Sequence, residues 1–301
     1  MVPSPLIPRK VYAPVPHKPF IRTLRAQWLG AQLRELREER GMTLELVARH
    51  LNRDRSALGR YELAEWPIQR GDVLALLDLY GFHRATDRAQ LLSLAEEVWR
   101  TDRWNDNYGD IVDSSFIDFP WLESRAETVC SYHAAVVPGL FQLPAYADLV
   151  IRCTEGPKVS EEKIRRGVAL RMDRQLVLKE PRRISFEVII DEAALRRQIG
   201  GPSLLRAQLA HLTKVTRLPQ VDLRILPETV ALHPGVDGSF WLFRMPRPYP
   251  EVGYLESLAG QMYFELPKSE RFRDAYDEVR EASLDPITSA RLIKSIGEEM
   301  S

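Results

Sequence analysis

Three residues frame this chain: Ala48, Asn52 and Leu58, inside the stretch Thr43 to Glu62 (TLELVARHLNRDRSALGRYE). Leu44, Val47, Ala48 and Leu51 fall at i, i+3, i+4 and i+7 and so share one face of a helix from Leu44 to about Leu51. Thr43 stands at the capping position before it. Asn52 follows, a residue that tolerates positive φ in place of glycine. A second short helix is predicted from Arg55 to about Glu62, with Leu58 and Tyr61 turned inward and Arg55, Ser56 and Arg60 outward. Two helices that cross this closely need a small side chain at the crossing, which Ala48 supplies. The turn residue comes four positions later and an aliphatic anchor six after that, the register of a helix-turn-helix. The outward face of the second helix is basic and polar, as a major-groove reader requires. An ordinary helical hairpin with a solvated charged face shares this periodicity, so the flanking sequence has to separate the two.

The flanks are helical. Leu29, Leu33 and Leu36 define a helix from about Arg25 to Arg40, ended by Gly41. After a loop marked by Pro67 and Gly71, an apolar helix runs from Asp72 to about Tyr80, and another from about Asp87 to Trp99. Five helices in so short a span predict a compact all-α domain over residues 23–100. Residues 1–22 form a tail instead: six prolines among the first 20 residues block helix and sheet pairing. Arg9, Lys10, Lys18 and Arg22 could lie along phosphates, although a passive leader is the simpler reading.

The formal net charge is zero over 301 residues, which conceals an asymmetry. Residues 1–100 hold 16 Lys and Arg against 12 Asp and Glu, and the remainder reverses the bias. The chain has no apolar run long enough to cross a bilayer and no apolar region of a leader peptide, so no membrane association and a cytoplasmic location are expected. Cys130 and Cys153 make neither a disulfide framework nor a zinc set, and both are expected as packed thiols.

The segments LRELREERGMT (33–43), VARHLN (47–52), RSALGRYE (55–62) and VLALLDLYG (73–81) resemble the lambda-repressor-like helix-turn-helix family, in its xenobiotic-response-element branch. The resemblance implies a salt bridge between Arg37 and Glu62 that fixes the docking of the first helix on the third. It also implies double-stranded DNA as partner. Carried over by position, Arg55, Ser56 and Arg60 are expected to reach base edges, and Thr43, Arg53 and Arg70 to hold phosphates. The chain departs from the family at Leu44, where a DNA-contacting Gln is usual, and at Ala64, where Gly is usual.

Residues 101–115, polar and acidic, read as a connection, and 116–301 alternate helical and strand-like runs. Helices are predicted at 116–128, 145–153, from Ser160 onward, after Asp191, at 203–215, 269–281 and 287–296. Strands are predicted at 129–137, 184–190, 221–226, 239–245, 253–256 and 261–265. The fold class is therefore multidomain: an all-α five-helix lambda-repressor-like bundle followed by an α+β domain with a mixed or antiparallel sheet. VVPGLFQLPAYA (136–147), RMDRQLVL (171–178), VIIDEAALRRQIGG (188–201), LRILP (223–227), GSF (238–240) and YLES (254–257) resemble the Scr-type antitoxin-like domain attached to this helix-turn-helix in actinobacterial regulators. That resemblance implies a transcriptional regulator, expected as a homodimer, or an antitoxin-like adaptor for a small protein encoded by a neighbouring gene.

Nothing in the chain points to catalysis. Asp191-Glu192 reads as a helix cap and a first-turn acid rather than an acid–base pair. The six His show no metal spacing, and His133 reads as a core histidine. No nucleophile elbow, phosphate loop or dinucleotide fingerprint occurs, so no enzyme, cofactor or metal is expected. Arg171 and Arg174 form either an anion site or, more simply, a solvated or ion-paired helix face.

Overall fold

The computed structural model describes residues 20–99, 107–109, 111, 116–179, 184–247 and 249–299. Most of the tail, with Arg9, Lys10 and Lys18, and most of the 101–115 connection lie outside these residues.

The N-terminal unit is a bundle of α1 (Leu24–Glu39), α2 (Leu44–His50), α3 (Arg55–Glu62), α4 (Arg70–Leu79) and α5 (Ala85–Trp99). Side chains cap the first three: Thr23 accepts from the Ala26 amide at 3.3 Å, Thr43 from Leu46 at 3.2 Å and Asp54 from Ala57 at 2.8 Å. Asn52 turns the chain between α2 and α3 at φ 53°. Ala64 adopts the same left-handed φ of 53° just after α3. The loop thus keeps the geometry that glycine serves best, and the alanine bears a conformational cost of about 1–2 kcal/mol, offset by burial of its methyl group. Leu29, Leu33, Val47, Leu58, Leu76 and Leu77 fill the centre.

The second unit begins with α6 (Asp118–Arg125), whose Pro120 falls in the first turn, where a missing N–H costs nothing. It continues with β1 (Thr128–His133), α7 (Pro144–Glu155), α8 (Glu161–Arg174), β2 (Ser185–Asp191), α9 (Glu192–Arg196) and α10 (Gly201–Val215). Then come β3 (Val221–Leu226), β4 (Phe240–Arg244), β5 (Val252–Ser257), β6 (Gly260–Phe264), α11 (Lys268–Ala282) and α12 (Pro286–Glu299). The strands form one mixed sheet in the order β3-β2-β1-β4-β5-β6. β1 pairs in parallel with β2, and β2 with β3, while β4, β5 and β6 are antiparallel to their neighbours. Parallel pairing changes to antiparallel at the central strand β1.

Period-2 alternation sorts the side chains onto two faces. Val129, Ser131 and His133 of β1 share a face with Phe186 and Val188 of β2 and Trp241 of β4, by register. Cys130 and Tyr132 point the other way, onto Tyr276 and Val279 of α11. α11 can lie close because Gly253 leaves its site to Phe272; a Cβ there would sit 2.6 Å from the ring.

Three expectations are corrected. β1 stops at His133 rather than Val137, because its antiparallel partner begins at Phe240 opposite Tyr132, and the Ala134 amide bonds Ser239 Oγ instead of a strand. The helix expected over 116–128 is confined to α6. Cys153 is exposed, not packed: the buried face of α7 runs through Tyr146, Ala147, Val150 and Ile151, and Cys153 lies off it. Cys130 is buried, which pushes its thiol up to about 12.

The two units pack together. Trp28 of α1, Trp121 of α6 and Tyr249 form an aromatic cluster with centroids 5.3–5.8 Å apart. Around it, the Leu24 amide donates to Asp118 at 2.8 Å, and Trp121 Nε1 to Glu97 of α5 at 2.9 Å.

Candidate nucleic-acid interface

The docking of α1 on α3 sets the interface. Arg37 Nε and NH2 donate to the two Glu62 carboxylate oxygens at 2.7 and 2.9 Å, and its NH1 donates to the Met42 carbonyl at 2.9 Å. Both side chains are buried, and the hydrogen bond to Glu62 raises the Arg37 pKa above the ordinary guanidinium value. A buried pair of this kind costs desolvation that its attraction roughly offsets, so its product is a fixed geometry. Gly30 does as much by size. A Cβ there would lie 2.6 Å from the Glu62 carbonyl oxygen and 2.8 Å from that of Tyr61, so α1 touches the backbone at the end of α3. Periodicity does not expose Gly30, which sits inside an ordinary helical run.

With α3 so held, its first turn faces outward. Arg55 and Ser56 are exposed, and Ala57 and Leu58 are buried beneath them. Asp54, not anticipated as a partner, organises this turn: Ser56 Oγ donates to it at 2.6 Å, and that bond first of all holds the Asp54 carboxyl below its ordinary value. An Asp directly before a helical run is the signal that could have found it. One turn further, Arg60 is half-buried, its guanidinium 4.3 Å over the ring of Trp66. The Trp66 platform comes from the loop after α3, beyond the reach of helical periodicity.

The expected phosphate-holding residues are placed less uniformly. Thr43 and Arg55 line one hollow among α1, α2 and α3, where Arg34 and Arg37 stand beside Glu38, Glu45 and Glu62. The Thr43 oxygen is engaged as a cap, and its hydroxyl hydrogen is left to donate. Arg53 pairs with Asp72 at 3.2 Å and Arg70 with Glu96 at 2.6 Å. Each arginine side chain is about half exposed, at 46% and 51%, so these pairs are weak and can be exchanged for a phosphate.

The C-terminal carboxylates weighed for acid–base chemistry have structural partners. Asp191 caps α9 through the Ala193 amide at 2.9 Å and accepts from Tyr132 at 2.9 Å. Glu192 accepts from Arg196 at 2.9 Å and from the Glu228 amide at 3.2 Å. His133 is buried against Ser131 and Trp241. Among the described residues no three His, Cys, Asp or Glu are placed to hold a metal ion, and no helix is long and apolar enough to cross a membrane.

A capped helix pair with a basic outward turn, locked into a five-helix bundle and joined to a mixed-sheet domain, defines a helix-turn-helix protein with a separate C-terminal domain. Residues 28–91 match a family described as a helix-turn-helix domain, which implies DNA binding. Residues 116–295 match a domain of unknown function, DUF5753; this match spans more than half of the chain, and the protein belongs to that family. No curated protein and no solved structure matches it.

Proposed function

We propose that this protein is a sequence-specific transcriptional regulator that binds operator DNA as a homodimer. In this reading its C-terminal domain is non-catalytic and supplies dimerisation and the response to a ligand or protein partner. The observation that carries it is Arg55: exposed on the first turn of α3, it has no carboxylate partner among the described residues. A guanidinium so placed is available for bidentate pairing with guanine, worth about 1–3 kcal/mol of discrimination. Ser56 and Arg60 extend the reading face, and Thr43, Arg53 and Arg70 position it on phosphates. Dimerisation follows from size, since a helix of eight residues reaches few bases and a second half-site multiplies specificity.

An electrophoretic shift on DNA from the chain's own promoter region tests this. Arg55→Ala is expected to weaken the specific complex at least tenfold. Arg53→Ala and Arg70→Ala are expected to weaken binding to all sequences alike and to flatten its salt dependence. Unchanged binding by Arg55→Ala would remove α3 as the reader.

The second reading, an antitoxin-like adaptor that uses DNA only for autoregulation, is favoured by an exposed apolar group. Leu232 (82% exposed), Val236 and Leu258 stand in the loops and the short helical turn Pro234–Asp237 at one end of the sheet, where β4 begins and β5 ends. Co-expression with the product of a neighbouring small gene, followed by size-exclusion chromatography, separates the readings; no stable complex would dismiss this one.

A further inference from the structure

Five of the six signature segments of the C-terminal domain, all but LRILP (223–227), contribute to a cavity of about 560 Å³ on the face of the sheet beneath α6, α7 and α8. It runs along β1, the strand at which the pairing changes sense, over Val129, Ser131 and His133. Phe119, Phe186, Val188 and Trp241 give it apolar walls, and its size suits a small organic molecule.

Two guanidinium groups meet in this cavity, and they are not equivalent. Arg174 is neutralised by a bidentate pair with Glu123 at 2.8 and 2.9 Å and stacks 4.8 Å over Phe119. Arg171 donates at 2.6 Å only to a neutral acceptor, the side-chain oxygen of Gln142, and no carboxylate among the described residues lies within ion-pair distance of it. Burial, and next the neighbouring Arg174, push Arg171 down to about 10, which leaves it charged at neutral pH. Gln142 is itself fixed: its amide donates to the Val137 carbonyl at 2.7 Å, and its backbone carbonyl accepts from Gln175 at 2.7 Å. Gly139 keeps the space between the arginines open, since a Cβ there would lie 3.8 Å from Arg171 Nε and 3.9 Å from Arg174 NH1. Glu155 and Glu256 also line the cavity and favour the charged guanidinium from beyond ion-pair distance, Glu155 being tied to Lys163. A desolvated charge held rigidly beside a second cation, with no direct ion pair, is costly unless an anion completes it.

We infer that this cavity binds a small organic anion, with a carboxylate or phosphate group seated against Arg171 and an apolar body against Phe119, Phe186 and Trp241. The inference deepens the ligand response proposed for the C-terminal domain. It is tested without DNA, so its failure leaves the assignment of α3 untouched.

The experiment is titration calorimetry on the full chain with phenylacetate, phenyl phosphate and the uncharged 2-phenylethanol. Saturable binding of at least one anion is expected, with 2-phenylethanol at least tenfold weaker; the stronger anion identifies the headgroup. Arg171→Met is expected to lose at least tenfold in affinity, and its ligand-free melting temperature to match or exceed that of the native protein. Gly139→Leu, which fills the gap without touching a charge, is expected to block binding as well and serves if Arg171→Met does not fold. Absence of saturation by both anions, equal binding of the alcohol, or native affinity in the variants overturns the inference.

Discussion

His133 shows how one residue's surroundings decide its chemistry. Its ring is 3% exposed, its Nε2 lies 3.0 Å from Ser131 Oγ, and Trp241 packs edge-on against it at 5.0 Å. Burial first, then the positive charge of Arg174, lower its pKa to about 3; Arg171 and Glu123 also line the cavity it faces. The folded state therefore refuses a proton that the unfolded chain accepts near 6.5. This contribution to stability is full above about pH 6.5 and is lost as the pH falls toward 3, at ~1.4 kcal/mol per unit. Urea unfolding at pH 7 and pH 5 should show the native protein losing about 2 kcal/mol more than His133→Gln. Equal losses would mean that His133 is protonated in the fold. Its placement in the core was legible, because it sits in an apolar run that reads as a strand. Its place in a cavity with two arginines was not, since those come from α8, some 40 residues later.

At the scale of elements, the reading unit depends on how closely α1 approaches α3. Helix propensity alone favours Gly30→Ala by about 1 kcal/mol. The added carbon would instead meet two backbone carbonyl oxygens below 3 Å, which cannot move unless α3 moves. Overpacking of this kind costs about 1–3 kcal/mol, so a net loss of stability is expected in urea unfolding, together with weaker operator binding. A stabilised variant would show that the crossing has slack. Ala48, Asn52 and Leu58 were legible because their fixed spacing falls within one short stretch of sequence. Gly30 acts on a partner 32 residues away, and no local pattern records that.

At the scale of the molecule, α6 belongs to both units. Phe119 and Glu123 line the cavity, while Asp118 and Trp121 hold α1 and α5. Trp121 sits in the middle of this contact: it is 3% exposed, packs on Trp28 and Tyr249, and lies 5.4 Å from the Arg25 guanidinium. Trp121→Ala should remove about 3–5 kcal/mol of packing and split one calorimetric unfolding transition into two, the bundle and the sheet domain melting separately. A single transition in the variant would show that other contacts couple the units.

What the amino-acid order determined by itself was local: the helix pair with its cap, turn and anchor, the bundle around it, and an α+β domain whose sheet was mixed or antiparallel. Each rests on periodicity or on a residue with a conformational preference, and both act over a few positions. Only the tertiary structure decided the strand order, the tying of Arg53 and Arg70 to acids, the stacking of Arg60 on Trp66, and the different fates of Arg171 and Arg174. Three positions apart on one helix, those two arginines look alike in sequence. Glu123, 51 residues before Arg174, neutralises one and leaves the other facing a cavity, because counter-charges are supplied through space rather than along the chain.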